Sequence, residues 1–460
     1  MAVKMGTPTA RWLIAGTALG SGIAFLDGTV VNIALPAIAD DFDASLAGLQ
    51  WTVNAYLVML SALLLLGGSL GDHYGRRRMY VVGLVGFTVA SLLCGLAPNT
   101  GFLVAARAVQ GVGAALLVPG SLSIIAASFA HVDRGAAIGA WSGLAGVSTA
   151  IGPFLGGWLI EAASWRLIFL VNVPLAGIAI ALRKIPETHA HDKRPLDIPG
   201  AVVVTIALAS LSYAAIDHAG PDSVVLGLTG AVAFVAFLVI EQRSKSPMMP
   251  LGLFKNAQFS GANLVTLVVY AALSGSLFLV TLQLQRTLEY SPLEAGAATV
   301  PFTVVMLALS STSGRLAERI GPRWPMTIGP LFVALSLVWF SGVDRGSGYV
   351  TDVFPAVMCM GFGMTVIVAP LTAAVLAEID DEFTGIASGI NNAVSRFAGL
   401  LAVAALPALA GISAGASLEE GLRAGYSNAM TISAIACVIG AAVAFATIRK
   451  SSSAGATAAA

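Results

Sequence analysis

The chain is 460 residues long, 57% hydrophobic and only 10% charged, with a mean hydropathy of +0.87. A water-soluble domain carries about 25% charged residues, so this composition excludes a chain bathed on all sides by water. The 24 basic and 24 acidic residues cancel, which removes any bulk electrostatic case for nucleic-acid binding. The three cysteines, Cys94, Cys359 and Cys437, sit inside apolar stretches as packing residues and suggest neither a disulfide framework nor a metal site.

Hydropathy and turn signals predict fourteen spans, near 12–35, 49–71, 79–97, 101–128, 136–160, 166–183, 198–216, 223–241, 259–283, 295–317, 325–343, 351–376, 386–413 and 427–448. Only helices or closed barrels satisfy the backbone in lipid, and runs of this length predict helices. The first span, with its length, its Asp27 and no small-residue cleavage site before Pro36, is expected to stay in the mature protein rather than act as a signal peptide. With a cytoplasmic N-terminus, four of the 24 basic residues fall outside (Arg166, Arg286, Arg345, Arg423) and two within helices (Arg107, Arg396); the other eighteen face the cytoplasm. That bias predicts a multi-pass protein of the cell (plasma or inner) membrane with both termini cytoplasmic.

The segment Gly68-Ser-Leu-Gly-Asp72-His-Tyr-Gly75-Arg76-Arg77 recurs as Gly314-Arg-Leu-Ala-Glu318-Arg-Ile-Gly321-Pro-Arg323, with glycine, leucine, acid, glycine and arginine in register. Both copies follow an even-numbered span on the cytoplasmic side. The repeat predicts two six-helix halves, 1–183 and 258–448. Between them, 184–257 supplies an extra pair of spans, and 449–460 reads as a disordered tail. In each copy the glycines allow a tight turn and close helix approach, and the acid can pair with arginines across the loop as a gate latch; a plain positive-inside anchor is the alternative.

Within the spans, charge and small residues stand out. Asp27 lies in the first span, where a carboxylate costs about 2.5–3.5 kcal/mol on insertion scales, so it reads as a proton or cation site. Arg107 in the fourth span shares a helical face with Gln110, Gly111 and Ala114. Arg396 in the thirteenth continues a polar stripe with Ser388 and Asn392. Either arginine can partner Asp27, and a purely structural charge pair is the alternative reading. In the fifth span Ala145, Ser148, Thr149, Gly152 and Gly156 form a small-residue stripe that lets another helix pack closely, and Pro153 adds a kink. In the twelfth, Met358, Met360 and Met364 suit a re-packing pocket or simple gap filling. No Gly-Lys pair exists, so no phosphate loop is present, and the five histidines lie in loops or at helix ends, unlike metal ligands.

Several of these segments resemble the Major Facilitator Superfamily. GSLGDHYGRRR and GRLAERIGPRW are similar to its cytoplasmic signature loop, and Arg107-Ala-Val-Gln110-Gly111-Val-Gly113 to its proton-linked motif. Gly143 followed by Gly152-Pro153-Phe-Leu-Gly156-Gly157 resembles its antiporter motif. Leu26-Asp27-Gly-Thr-Val-Val-Asn32-Ile-Ala-Leu-Pro36, Trp165-Arg-Leu-Ile-Phe-Leu-Val-Asn172-Val-Pro174 and Tyr290-Ser-Pro-Leu-Glu-Ala-Gly296 resemble its fourteen-span drug:proton antiporters. The resemblance covers nearly the whole chain and implies an all-α membrane protein with the major facilitator fold, two pseudo-symmetric halves and two extra linking helices, fourteen in total.

The resemblance further implies a proton-coupled, multidrug-type exporter of hydrophobic or amphipathic small molecules, working by alternating access. It would need no cofactor beyond the proton motive force and no metal, would not be an enzyme, and is expected to be a monomer in the bilayer. Coupling is expected at Asp27, Arg107 and Arg396, with a substrate cavity lined by Asn32, Tyr56, Gln110, Asn392 and Met364. The ninth and twelfth spans carry no interior acid, which argues against selection of divalent cations. Asp27 and Asn32 lie about 140° apart on an ideal helix, so they face one cavity only if Gly28 distorts it. Export of a dedicated metabolite or lipid, an uptake symporter, and a non-transporting scaffold or sensor are the competing readings; the glycine pattern weighs against symport and the lack of a long polar stretch against a sensor.

Overall fold

In the computed structural model the described residues are 3–181, 187–188, 195–218, 220–380, 383–412 and 418–449, and almost all of them are helical. The elements are α1 (Pro8–Phe42), α2 (Leu46–Tyr74), α3 (Arg76–Gly95), α4 (Thr100–Ser128), α5 (His131–Ala162), α6 (Leu167–Leu170), α7 (Asn172–Ala181), α8 (Ile198–Ile216) and α9 (Ser223–Arg243). They continue as α10 (Ala257–Arg286), α11 (Pro292–Ala298), α12 (Val300–Ile320), α13 (Arg323–Phe340), α14 (Phe354–Leu376), α15 (Thr384–Leu409) and α16 (Leu418–Thr447). The one β-type contact among the described residues is an isolated bridge between Val3 and Phe129.

Helix starts follow local chemistry. Thr7 caps α1 through Ala10 N at 3.2 Å and is followed by Pro8, whose missing N–H is harmless in the first turn. Ser45 and Asn99 cap α2 and α4, and Ser291 with Glu294 forms a reciprocal capping box on α11. Between α2 and α3, Gly75 takes a φ of +109°, and its counterpart in the second copy, Gly321, takes +79°. Both lie in the left-handed region that glycine enters without steric penalty, so the aligned glycines of the repeat mark equivalent turns.

Thirteen helices among the described residues are long and apolar enough to cross a membrane. Of the sixth predicted span, 166–183, the described residues form α6 and α7, which meet at Val171; residues 182 and 183 lie outside the described residues. The cause is Pro174, which has no N–H to give the carbonyl of Leu170 and whose ring crowds it, so the helix breaks at Val171.

The chain divides into two compact units. The first comprises Met1–Pro250, Leu277–Val300 and Leu400–Tyr426; the second comprises Leu251–Ser276, Pro301–Gly399 and Ser427–Ala460. In the first, α4 packs on α2 and α3, α1 packs on α5, α11 lies against α5, and α8 pairs with α9. In the second, α13 packs on α14. The α4 contacts are close because of glycine: a Cβ at Gly111 would stand 2.5 Å from Tyr56 O on α2, and one at Gly113 would stand 2.6 Å from Phe87 N on α3. The exposed face of α9, with Val224, Val225, Leu228, Val232 and Val235, is a continuous aliphatic surface suited to lipid.

Candidate functional site

Asp27 sits in the middle of α1, 0% exposed, and the helix runs through Gly28 without a break. Opposite it on α4 is Arg107, 1% exposed, whose Nη1 donates to Asp27 Oδ2. The guanidinium is held from three more sides. Its Nε donates to Thr52 O at 3.1 Å, its Nη1 also donates to Gln110 Oε1 at 2.6 Å, and its plane lies 4.3 Å from the centroid of the Tyr56 ring. Phe169 closes the other flank at 5.7 Å. Tyr56 is anchored in turn by its hydroxyl, which donates to Ala24 O at 3.2 Å.

The other carboxylate oxygen is equally engaged. Asp27 Oδ1 accepts from Gln110 Nε2 at 2.8 Å and from Asn172 Nδ2 at 3.3 Å. Ser91 Oγ on α3 ties both amides together, at 2.7 Å from Gln110 and 3.2 Å from Asn172. Cys94 Sγ lies 3.7 Å from Gln110 Oε1. Six elements, α1 to α4, α6 and α7, thus converge on one ion pair. Burial of two charges is costly unless they are paired and their remaining hydrogen-bonding capacity is met, and here the carboxylate is met on both oxygens.

Of the two arginines embedded in the spans, the structure therefore joins Arg107 to Asp27. Arg396 lies half-buried on α15 in the second unit with Asn392, and Met364 is buried on α14 of that unit. Asn32 is partly exposed on another face of α1 from Asp27, as the unbroken helix requires. Tyr56 and Gln110, expected to line a substrate cavity, are both buried within the Asp27–Arg107 network. Ser91 and Asn172 complete that network and were not singled out as site residues. Asn172 carried a signal, as the lone amide interrupting an apolar run before Pro174; Ser91 is one small hydroxyl in a helix and carried none.

At the signature loop, Asp72 Oδ1 on α2 accepts from Arg76 Nε on α3 at 2.8 Å across the turn at Gly75, and Asp72 is 45% exposed. The start of α3 is capped from a distant segment: Glu187 Oε1 accepts from Arg77 N at 3.0 Å and its Oε2 from Arg78 N at 3.1 Å. Negative charge at a helix N-terminus is favourable, so Glu187 fastens 187–188 to the loop. Gly68 faces Pro119 on α4 at 3.7 Å from an ideal Cβ. In the second copy Gly314 approaches Ala369, and the Arg323 guanidinium lies 4.2 Å from the Phe445 ring centroid. The side chain of Glu318 lies outside the described residues, as do 450–460 of the tail.

The glycine motif of α5 is not uniform. A Cβ at Gly152 would stand 2.4 Å from Thr29 Oγ1, and one at Gly156 would stand 2.2 Å from Val30 Cγ2, both on α1 within one turn of Asp27. Gly157 meets backbone: its Cβ would lie 2.3 Å from Pro292 O and 2.7 Å from Leu293 Cα on α11. The contact is reciprocal, since a Cβ at Gly296 would lie 2.2 Å from Pro153 O. Gly143 meets nothing within 4 Å.

Membrane-length helices packed through glycine around a buried charge pair, its carboxylate hydrogen-bonded on both oxygens, define a polytopic membrane protein of the transporter type. The sequence profile of the Major Facilitator Superfamily matches residues 17–403, and again 262–459, and the chain belongs to that superfamily. It is 33% identical over 401 residues to the tetracenomycin C resistance and export protein of Streptomyces glaucescens, covering 85% of this chain and 74% of that relative. It is also 33% identical over 417 residues to the multidrug resistance protein Stp of Mycobacterium tuberculosis, covering 88% and 77%. Among solved structures, the inward-open xylose transporter XylE from E. coli superimposes with a TM-score of 0.67 at 15% identity, over 97% of this chain and 98% of that one, a likeness of fold. The chain is thus an all-α, multi-pass membrane protein of the major facilitator fold, which resides in a lipid bilayer and carries small molecules.

Proposed function

We propose that this protein is a proton-coupled exporter of hydrophobic or amphipathic small molecules, drug-like compounds included, working as a monomer by alternating access. Its place is the cell membrane, with both termini cytoplasmic and the proton motive force as its energy source. The observation that carries the proposal is the Asp27–Arg107 pair, a titratable carboxylate 0% exposed inside a membrane-length helix. The names of the relatives, resistance and export proteins, support the direction of transport and the kind of substrate.

Protonation of Asp27 removes the charge that Arg107 is bound to, so the contacts joining α1 to α4 differ between the two protonation states. Each pH unit across the membrane contributes about 1.4 kcal/mol per proton, and 100 mV adds about 2.3 kcal/mol. Protons entering from the acidic outer side reset the carrier, and their release inside accompanies substrate loading. Flexible methionines on α14, Met360 and Met364 among them, favour a substrate pocket that adapts by shape.

The test is transport in proteoliposomes under an imposed pH gradient with a panel of hydrophobic and amphipathic compounds, comparing wild type with Asp27→Asn. Wild type is expected to accumulate substrate against its gradient, with counterflow of protons. The variant is expected to equilibrate substrate without concentrating it. Concentrative transport by Asp27→Asn would remove Asp27 from the coupling step.

A further inference from the structure

The carboxylate of Asp27 is bonded to donors alone. Its Oδ2 accepts from Arg107 Nη1, and its Oδ1 accepts from Gln110 Nε2 and Asn172 Nδ2. An arginine donates and never accepts, so this arrangement suits the charged carboxylate. A proton loaded onto Asp27 makes one new O–H bond, and its hydrogen then points at donors. Buried without an acceptor, that O–H carries the desolvation penalty of an unmade hydrogen bond. For the proton to be held, a neighbour has to present an oxygen in place of an N–H.

Two bonded neighbours carry an oxygen as well as an N–H, the amides of Gln110 and Asn172, and they differ in what a turn would cost. Gln110 Oε1 already accepts from Arg107 Nη1 at 2.6 Å, and Cys94 Sγ lies 3.7 Å from it. Turning that amide over would set its N–H groups against the guanidinium. Asn172 Oδ1, by contrast, is buried and meets no donor among the described residues. The χ2 torsion of an asparagine is broad and roughly two-fold, so a half-turn exchanges Oδ1 and Nδ2 without moving the backbone. The exchange places the oxygen beside Asp27 Oδ1 and Ser91 Oγ, the two atoms that Nδ2 reaches at 3.3 and 3.2 Å. There it accepts the new O–H of Asp27. The Ser91 hydroxyl, which still accepts from Gln110 Nε2 at 2.7 Å, turns its own hydrogen to the same oxygen.

We propose that Asn172 is the positioning residue for proton loading: its amide donates to the charged Asp27 and turns over to accept from the protonated one. The proton enters on Oδ1, since Oδ2 faces the guanidinium. The charged or titratable groups facing this cluster are Arg107 on α4, Cys94 on α3 and Tyr56 on α2. Towards α1, α5 presents Gly152 and Gly156, α6 and α7 carry no ionisable residue, and Glu294 on α11 is exposed and bonded to Ser291 N. Asn172 opens α7 beside the break at Val171, so the sixth span meets the proton site at its own interruption. The inference rests on Asp27 as the coupling carboxylate and adds the side chain that lets it change charge.

The test is infrared difference spectroscopy, acidic minus neutral, on full-length protein in proteoliposomes, with asparagine isotopically labelled at its side-chain carbonyl. Wild type is expected to show the C=O band of a protonated carboxyl that is lost in Asp27→Asn. It is also expected to show a shift of one asparagine amide band, lost in both Asp27→Asn and Asn172→Leu. A side chain that only holds helices together gives no such shift. Asn172→Ser assigns the amide band if the leucine variant does not fold. The carboxyl band without the amide shift, or an amide shift that survives in the Asn172 variants, overturns the role of Asn172 and leaves Asp27 as the proton site. Absence of any carboxyl band that depends on Asp27 overturns both.

Discussion

At the residue scale the charged pair at the centre of the first unit dominates. Removing one partner of a buried, hydrogen-bonded ion pair typically costs about 3–5 kcal/mol, because the other charge is left in low dielectric without compensation. Arg107→Ala is therefore expected to lower the thermal midpoint sharply, and the double variant Asp27→Asn/Arg107→Ala is expected to recover part of the loss, a coupling that a double-mutant cycle reads directly. Arg107→Lys keeps the charge but loses the flat face on Tyr56 and the separate donors to Thr52 O and Gln110, so it falls between wild type and Arg107→Ala. Equal midpoints for the lysine and alanine variants would show that geometry, not charge, holds the pair. By contrast the Asp72–Arg76 pair is partly exposed and bridges the turn at Gly75, worth about 0.2–1 kcal/mol, so Asp72→Asn should lower the midpoint far less than Arg107→Ala does.

At the scale of elements, the glycine motif of α5 can be ranked residue by residue. Gly157 faces the backbone of α11, which cannot yield as a flexible side chain can, so Gly157→Ala is expected to destabilise by about 1–3 kcal/mol. Gly143 faces open space, and Gly143→Ala should be neutral or gain up to about 1 kcal/mol from helix propensity. Thermal unfolding of the two variants checks the order; equal effects would mean that α5 and α11 do not stay packed. Much of this was legible in the chain. The stripe of small residues and the repeated glycines at 75 and 321 announced close packing and left-handed turns because only glycine satisfies both demands. The identity of the partner helix was not legible, because Thr29, Val30 and Pro292 have no sequence signal that points to α5. Arg107 and Arg396 looked equivalent for the same reason: spacing places a side chain on a helix face but says nothing of which helices meet. Pro174 was visible and its consequence for the sixth span follows from its missing donor, yet the apolar run around it reads as one continuous helix.

At the scale of the whole molecule, the aliphatic outer surface sets a further expectation. Val232 lies mid-helix on the exposed face of α9, and a lysine there costs about 2.5–3.5 kcal/mol on insertion scales. Val232→Lys should reduce the amount of protein recovered from membranes, whereas Lys245→Ala, beyond the helix end, should not; equal recovery would place that face of α9 away from lipid. The two units meet different physical demands. The first carries the sealed ion pair and the glycine contacts of α1, α4, α5 and α11. In the second, Asn391 donates to Asn263 and Thr266 at 3.1 and 2.8 Å, polar glue of uncharged groups between α15 and α10.

The thiol of Cys94 supplies a built-in clock for the ion-pair chamber. It is wholly buried, 3.7 Å from the glutamine that bridges Asp27 and Arg107, so a membrane-permeant maleimide reaches it only during excursions that part α3 from α4. Its labelling rate then counts those excursions without any engineered probe. In a Cys359→Ser/Cys437→Ser background, protons or substrate that open the chamber should quicken the reaction, and ligands that seal it should stop it.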